Sequence, residues 1–266
     1  MLFGEHLNVV RGGGDLATGV VLRLRRAGFP VLVLELPQPL SIRRPVCVST
    51  AVSAGAHQVE GLEAIRVESA EQALEEANAG RVPVLVSPLL PGLPQRPSVV
   101  IDARLAKRNV DTTIDDAPLV IGLGPGFTAG IDCDAVIETM RGHHLGKVLW
   151  EGPAAPDTGV PGSVGGESGS RVVRAARSGA LTWTVEIGQL VAGGESLGQI
   201  DRTPVESGLD GVVRGLLPEG IVSPGLKIAD VDPRGDVSAC FEVSDKSRAV
   251  GGGALEAVLT WLDRAT

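Results

Sequence analysis

Tyrosine is absent from this 266-residue chain, and three Trp and four Phe make up its rings outside histidine. A stacking platform for single-stranded nucleic acid needs such rings, so that function class is disfavoured. An excess of basic residues is missing too. The net charge is −8 and the pI near 5.1, which argues against nucleic acid and anionic membranes as partners. Cysteine is scarce: Cys47, Cys133 and Cys240 form no C-x-x-C, so neither a disulfide framework nor a zinc knuckle is indicated, and a reducing cytoplasm fits best. Long apolar runs are lacking. The uncharged stretch from Val82 to Gln95 is broken by Pro83, Pro88, Pro91 and Pro94 and is too short to span a bilayer. The first residues, MLFGEHLNVVRGGGD, have no basic segment followed by an apolar one, so no leader is expected.

What is present describes a folded chain rich in turns. Hydrophobic residues make up 43% and charged residues 21%, too apolar for disorder. Gly (36) and Pro (18) together reach nearly twice their usual share without any collagen-like period, which implies tight turns and close backbone approaches.

The spacing predicts a strand over Leu7–Arg11, a turn at Gly12-Gly13-Gly14, a helix carrying Leu16, Val20, Leu24 and Ala27, and a stop at Gly28. Pro30–Glu35 follows as a continuous apolar strand, as in a parallel sheet covered on both faces. A helix near 69–79, strands near 82–86, 98–102 and 117–122, a helix near 132–141 and a strand near 146–150 complete an α/β domain over residues 1–150. Glu151–Ser170 holds six Gly and three Pro and reads as a junction. Residues 171–235 show short apolar stretches cut by glycine, an all-β module whose two halves share one rhythm, as in a biotinyl/lipoyl-type barrel-sandwich. In residues 236–266, Leu255, Val258, Leu259 and Leu262 share a helical face, expected to pack back on the first domain.

Gly12-x-Gly14-x-x-Ala17 matches the dinucleotide fingerprint after a strand and at the start of a helix. Gly12 makes the turn, Gly14 admits a pyrophosphate, and the helix N-terminus headed by Asp15 favours its charge. Glu35, 21 residues beyond Gly14, stands where an acid takes a ribose hydroxyl. Gly122, Gly124, Gly126 and Thr128 lie in a second glycine loop, read equally as an anion loop or a sharp turn, because Pro125 removes one N–H. Arg43-Arg44 could clamp a phosphate or stand as a solvated basic loop. Cys133 sits at an expected helix start but between Asp132 and Asp134, which favours an inert thiol. His143-His144, the Asp134/Glu138 pair and Asp111, Asp115 and Asp116 read more easily as caps and solvated groups than as metal ligands. No H-E-x-x-H or P-loop occurs, so no catalytic residue is assigned and an enzymatic role stays open.

The stretches VVRGGGDLATGV, LELPQPLSIRR, APLVIGLGPGFTAG, ETMRGHHLGKV, DTGVPG and SDKSRAVGGGALEA, running from residue 9 to residue 257, resemble the YqeB family. One departure is Asp157, where Asn is expected before Thr-Gly. The resemblance implies a cytoplasmic accessory protein that matures a selenium-dependent molybdenum hydroxylase. Its partner would be the hydroxylase apoenzyme, and its Rossmann-like part would be kin to XdhC-type insertion factors. A molybdopterin dinucleotide or NAD(P) is the candidate ligand. The alternatives are an NAD(P)-linked oxidoreductase and a non-catalytic scaffold, and self-association of the chain is left open. The barrel-sandwich likeness lacks one element. A carrier lysine should fall near Asp201–Glu206, and the nearest lysine is Lys227, so covalent biotin or lipoate is not expected.

Overall fold

A strand of four buried residues, β1 (Asn8–Arg11), lies in the middle of a nine-stranded sheet. The computed structural model describes residues 1–159, 165–167 and 169–265. They fall into two compact units: Met1–Pro39, Cys47–Asp157 and Val243–Thr266 form one, Leu40–Val46 and Thr158–Glu242 the other.

In the first unit, β1 is followed by α1 (Asp15–Ala27), β2 (Val31–Glu35), α2 (Ala51–Ala54), β3 (Ala56–Val59), β4 (Leu62–Val67), α3 (Ala70–Asn78) and β5 (Val82–Val86). Then come β6 (Val99–Asp102), β7 (Leu119–Leu123), β8 (Thr128–Ala129), β9 (Ala135–Ile137), β10 (Val148–Leu149), β11 (Gly152–Pro153) and finally α4 (Asp245–Ala265). The large sheet runs β10-β9-β7-β6-β1-β2-β5-β4-β3, parallel except for the two edge pairs β10–β9 and β3–β4. Continuous Val/Leu/Ile runs build such strands because both faces are covered. Val9, Leu32, Leu34, Val100 and Val120 form one core with Ala73 and Ala77 of α3. Elsewhere α1 and α4 pack on each other, and α4 also meets β7, β9 and β10. Helix ends follow local chemistry. Gly28 takes the left-handed conformation that closes α1, and the Ser69 hydroxyl accepts the Gln72 N–H to open α3.

One expectation fails here, and one element had none. The helix expected over 132–141 does not form; the segment holds a turn and β9. Asp132 and Asp134 turn their carboxylates onto the backbone N–H groups of Thr128 (2.8 Å) and Val120 (2.7 Å), the local competition by which Asp leaves helices, and Val136 and Ile137 pair with β7 instead. The β3–β4 hairpin was not foreseen. Glu60 and Gly61, both at positive φ, form the two-residue turn that joins it, and V-E-G-L is its signal in the sequence.

Among its described residues the second unit is all-β apart from one short turn of helix (Ser238–Cys240) and another over Arg44–Val46. Its strands are β12 (Val172–Arg174), β13 (Gly179–Trp183), β14 (Leu190–Val191), β15 (Ser196–Ile200), β16 (Thr203–Glu206), β17 (Gly211–Leu216), β18 (Gly220–Val222) and β19 (Lys227–Asp232). They make two four-stranded antiparallel sheets, β12-β19-β17-β14 and β16-β15-β13-β18. Leu181, Ile200, Val222 and Ile228 fill one core, and Leu197, Val213, Leu216 and Val231 another. Leu40–Val46 goes with this unit because the Leu216 N–H donates to the Ile42 carbonyl at 2.9 Å.

Candidate functional site

The parallel register aligns the carboxyl ends of the central strands. Arg11 stands opposite Leu34 of β2 and Asp102 of β6, and Asp102 opposite Gly122 of β7. The loops that follow β1, β2, β6 and β7 therefore leave the sheet at one edge. The chain passes from β1 to β2 on one side and later to β6 on the other, so β1 marks a reversal of strand order, where open α/β sheets bind ligands.

The first glycine loop is held from several directions. Gly12 has φ +96°, and a β-carbon there would lie 3.1 Å from the Ala103 carbonyl oxygen, so the position demands glycine. Gly13 donates its N–H to the Glu35 carboxylate at 2.7 Å, and its carbonyl accepts the Ser49 N–H at 3.0 Å. Gly14 opens α1 without any side-chain cap. Asp15 accepts the Ser247 hydroxyl of α4 at 2.5 Å, and Ala17 is buried. Thr18, which the sequence reading passed over, donates its hydroxyl to the Gly14 carbonyl (2.9 Å) and accepts the Val48 N–H (3.1 Å).

Glu35 thus ties down the loop it was expected to face across a ligand. Its second oxygen accepts the Leu36 N–H at 2.7 Å. Burial pushes this carboxyl above the ordinary glutamate range, and the two backbone N–H groups only partly offset the shift. A carboxylate accepts about four hydrogen bonds, so these two leave acceptor capacity on Glu35.

Beside it lies an ionic cluster with no counterpart in the sequence reading. Buried Arg11 donates to Thr112 Oγ1 at 2.7 Å and to both oxygens of Asp111 at 2.8 and 2.9 Å. Thr112 donates in turn to buried Asp102 at 2.7 Å, and Arg104 bridges Asp102 and Asp111. The signal was there: β1 and β6 are apolar strands that each end in a buried charge. The loop so anchored carries two non-glycine residues in the left-handed region, Leu105 and Lys107, and Lys107 pairs with Asp157 at 2.8 Å. Such backbone strain gathers at functional sites.

The second glycine loop is filled by the chain itself. β-Carbons at Gly122, Gly124 and Gly126 would run into the Phe127 ring, Thr139 Oγ1 and the Arg108 backbone respectively, and the Thr128 N–H is taken by Asp132. Arg43 and Arg44 belong to the other unit and do different work from a phosphate clamp. Arg43 is buried and donates to the carbonyls of Ala239 (2.9 Å) and Glu242 (3.0 Å), and Arg44 donates to that of Leu216 (3.1 Å).

The remaining candidates resolve simply. Burial first, then Asp132, Asp134 and Asp102, push the Cys133 thiol up to about 12, against one opposing backbone hydrogen bond. Glu138 accepts the N–H groups of Met140 and Ala155, so it makes no carboxylate pair with Asp134. Exposed His143 and His144 meet edge to face at 5.2 Å. Among the described residues no group of three or more His, Cys, Asp or Glu is placed to hold a metal ion, and no helix is long and apolar enough to cross a membrane.

No protein-family model matches the chain. Over 258 residues, 96% of its length, it is 46% identical to the uncharacterized protein YqeB of Escherichia coli K12, which supports the YqeB family. The chain spans about half of that relative's length (48%). A solved structure of a succinylglutamate desuccinylase/aspartoacylase from Rhodobacter sphaeroides is 29% identical over 24% of this chain and 23% of its own, with a TM-score of 0.22.

Proposed function

We propose that the first unit binds a nucleotide, in the favoured reading the dinucleotide end of a molybdopterin cofactor, and that the chain serves as an accessory protein in maturing a selenium-dependent molybdenum hydroxylase. The observation that carries the binding reading is the uncapped N-terminus of α1, opening at Gly14 where the strand order reverses. The order β5-β2-β1-β6-β7-β9 supports a Rossmann-like sheet, and the two antiparallel sheets of the second unit support a barrel-sandwich. The hydroxylase partner and the selenium connection rest on the family resemblance.

The residues fit a diphosphate at the first turn of α1 and not on Gly13, whose N–H already serves Glu35. Gly14, Leu16 and Ala17 would approach it with backbone N–H groups, and Glu35 would keep acceptor capacity for a ribose hydroxyl. In this reading the dinucleotide is cargo, and the chain binds and delivers it to the apoenzyme without making or breaking a bond.

Calorimetric titration with NAD, NADP and CDP tests the reading, with Gly14→Val as control. Gly14 has φ −72°, which valine adopts without strain, so the variant should fold. Micromolar binding of CDP, lost in the variant, is the expected result. Binding of NAD or NADP alone would replace the reading with an NAD(P)-linked oxidoreductase. Absence of any nucleotide binding would overturn it.

A further inference from the structure

The loop that follows β6 lies against the first glycine turn. A β-carbon on Gly12 would meet the Ala103 carbonyl oxygen at 3.1 Å and Arg104 Cα at 3.2 Å. The backbone of this loop is held in a costly shape. Leu105 (φ +55°) and Lys107 (φ +61°) are both left-handed, a region that residues other than glycine enter only under constraint. Contacts on several sides supply the constraint. Arg104 bridges Asp102 and Asp111. The Asn109 side chain accepts the Thr112 N–H (3.0 Å) and donates to the Thr112 carbonyl (2.7 Å), and the Asn109 backbone N–H donates to the Gly126 carbonyl (3.0 Å). Gly126 has room for no side chain, because a β-carbon there would stand 2.5 Å from the backbone N and Cα of Arg108. The second glycine loop is thus the seat on which the Arg108 backbone rests.

What the strained loop displays is positive charge. A diphosphate at the first turn of α1 would bring anionic oxygens close to Asp15 and Glu35, on a chain of net charge −8, and needs a cation beside it. Within the first unit, the loops that leave β1, β2, β6 and β7 carry three: Arg104, Lys107 and Arg108. Arg104 is committed to Asp102 and Asp111, and Lys107 to Asp157. Arg108 is exposed and forms no ion pair among the described residues. Its place four residues beyond Arg104 puts at most about 14 Å of chain between it and the contact with Gly12. Its guanidinium is a fork that matches paired phosphate oxygens. A merely solvated arginine would need no such backbone, since an ordinary loop shows a side chain to water without left-handed residues.

We infer that the 104–109 loop is a second wall of the nucleotide site and that Arg108 contacts the diphosphate of the ligand. The inference rests on the nucleotide reading proposed above and adds to it a ligand-contacting residue from a different loop.

Calorimetric titration of the full chain with CDP, NAD and NADP, each of which carries a diphosphate, tests it in wild type, Arg108→Gln, Arg108→Lys and Arg96→Gln. Arg96 is exposed just before β6, at the opposite edge of the sheet, so its variant changes the net charge equally. Whichever ligand binds wild type should bind Arg108→Gln at least tenfold more weakly, Arg108→Lys to an intermediate degree, and Arg96→Gln as it does wild type. Added chloride should weaken binding more steeply in wild type than in Arg108→Gln. All four proteins should share one Tm. Unchanged affinity in Arg108→Gln, or an equal loss in Arg96→Gln, would overturn the inference and leave the nucleotide reading standing. A lowered Tm accompanying the loss would mark a structural role for Arg108 and overturn it as well. If none of the three ligands binds wild type, the nucleotide reading itself fails and the inference falls with it.

Discussion

A β-carbon placed on Gly251 of α4 would lie 2.2 Å from the carbonyl oxygen of Gly19 on α1, and one placed on Gly19 would lie 2.1 Å from that of Ser247. The two helices meet backbone to backbone, as only glycine permits. Two residues further on, Gly253 meets the Gly146 carbonyl just as closely (2.1 Å). The glycine run near the end of the chain thus seats α4 against α1, which carries the candidate binding loop at its N-terminus.

Adjacent glycines of α4 should therefore respond in opposite directions. Gly251→Ala should destabilise by about 1–3 kcal/mol through overpacking. Gly252 has nothing within 4 Å of its would-be β-carbon, so Gly252→Ala should stabilise by about 0.5–1 kcal/mol through helix propensity. Urea unfolding of the two variants checks the sign of each.

The Arg11 cluster should carry stability out of proportion to its size. Arg11→Met removes the buried guanidinium that holds Thr112 and Asp111, leaving Arg104 alone on Asp111, and should cost about 1–3 kcal/mol. A cost below about 1 kcal/mol in the same unfolding assay would mean that the cluster is not the anchor of the 103–112 loop.

Acid should expose the partner of that pair. Burial pushes the Asp111 carboxyl up, but Arg11 and Arg104 outweigh it and hold the group below the ordinary aspartate range. Its stabilisation is then full above its unfolded pKa of about 3.9 and lost as pH falls through the lower folded value. Asp111→Asn should lack this acid loss, which Tm measured from pH 5 to pH 2 reads directly.

Glu35 should behave in the opposite sense. Burial raises its folded pKa, so its contribution is full below its unfolded value of about 4.3 and declines as pH rises through the folded one. Glu35→Gln should remove that decline, visible as a flatter Tm curve above pH 4.

The thiols should be silent in the native protein. Cys47, Cys133 and Cys240 are all buried, and burial pushes the Cys133 thiol up to about 12. Ellman's reagent at pH 8 should label none of them in folded protein and all three after denaturation.

Much of the first unit is legible in the residues. Runs such as Val31–Glu35 and Val99–Asp102 are apolar without interruption, and only a strand covered on both faces has that pattern. Gly12, Gly14 and Ala17 mark the strand-to-helix turn by spacing alone. The 132–141 stretch misled because its helical appearance rested on Asp132 and Asp134 as caps, whereas both carboxylates satisfy backbone groups elsewhere in the fold.

By itself the sequence determined the alternation of strand and helix, the position of the first glycine turn and the all-β character of residues 171–235, because period, turn chemistry and composition are local properties. Only the tertiary structure decided what those residues do. It put the Glu35 carboxylate on Gly13, Asp111 on Arg11 a hundred positions away, and Arg43 on carbonyls near residue 240. Hydrogen bonds and ion pairs act over about 3–4 Å of space and are blind to separation along the chain, so no local pattern could have named these partners.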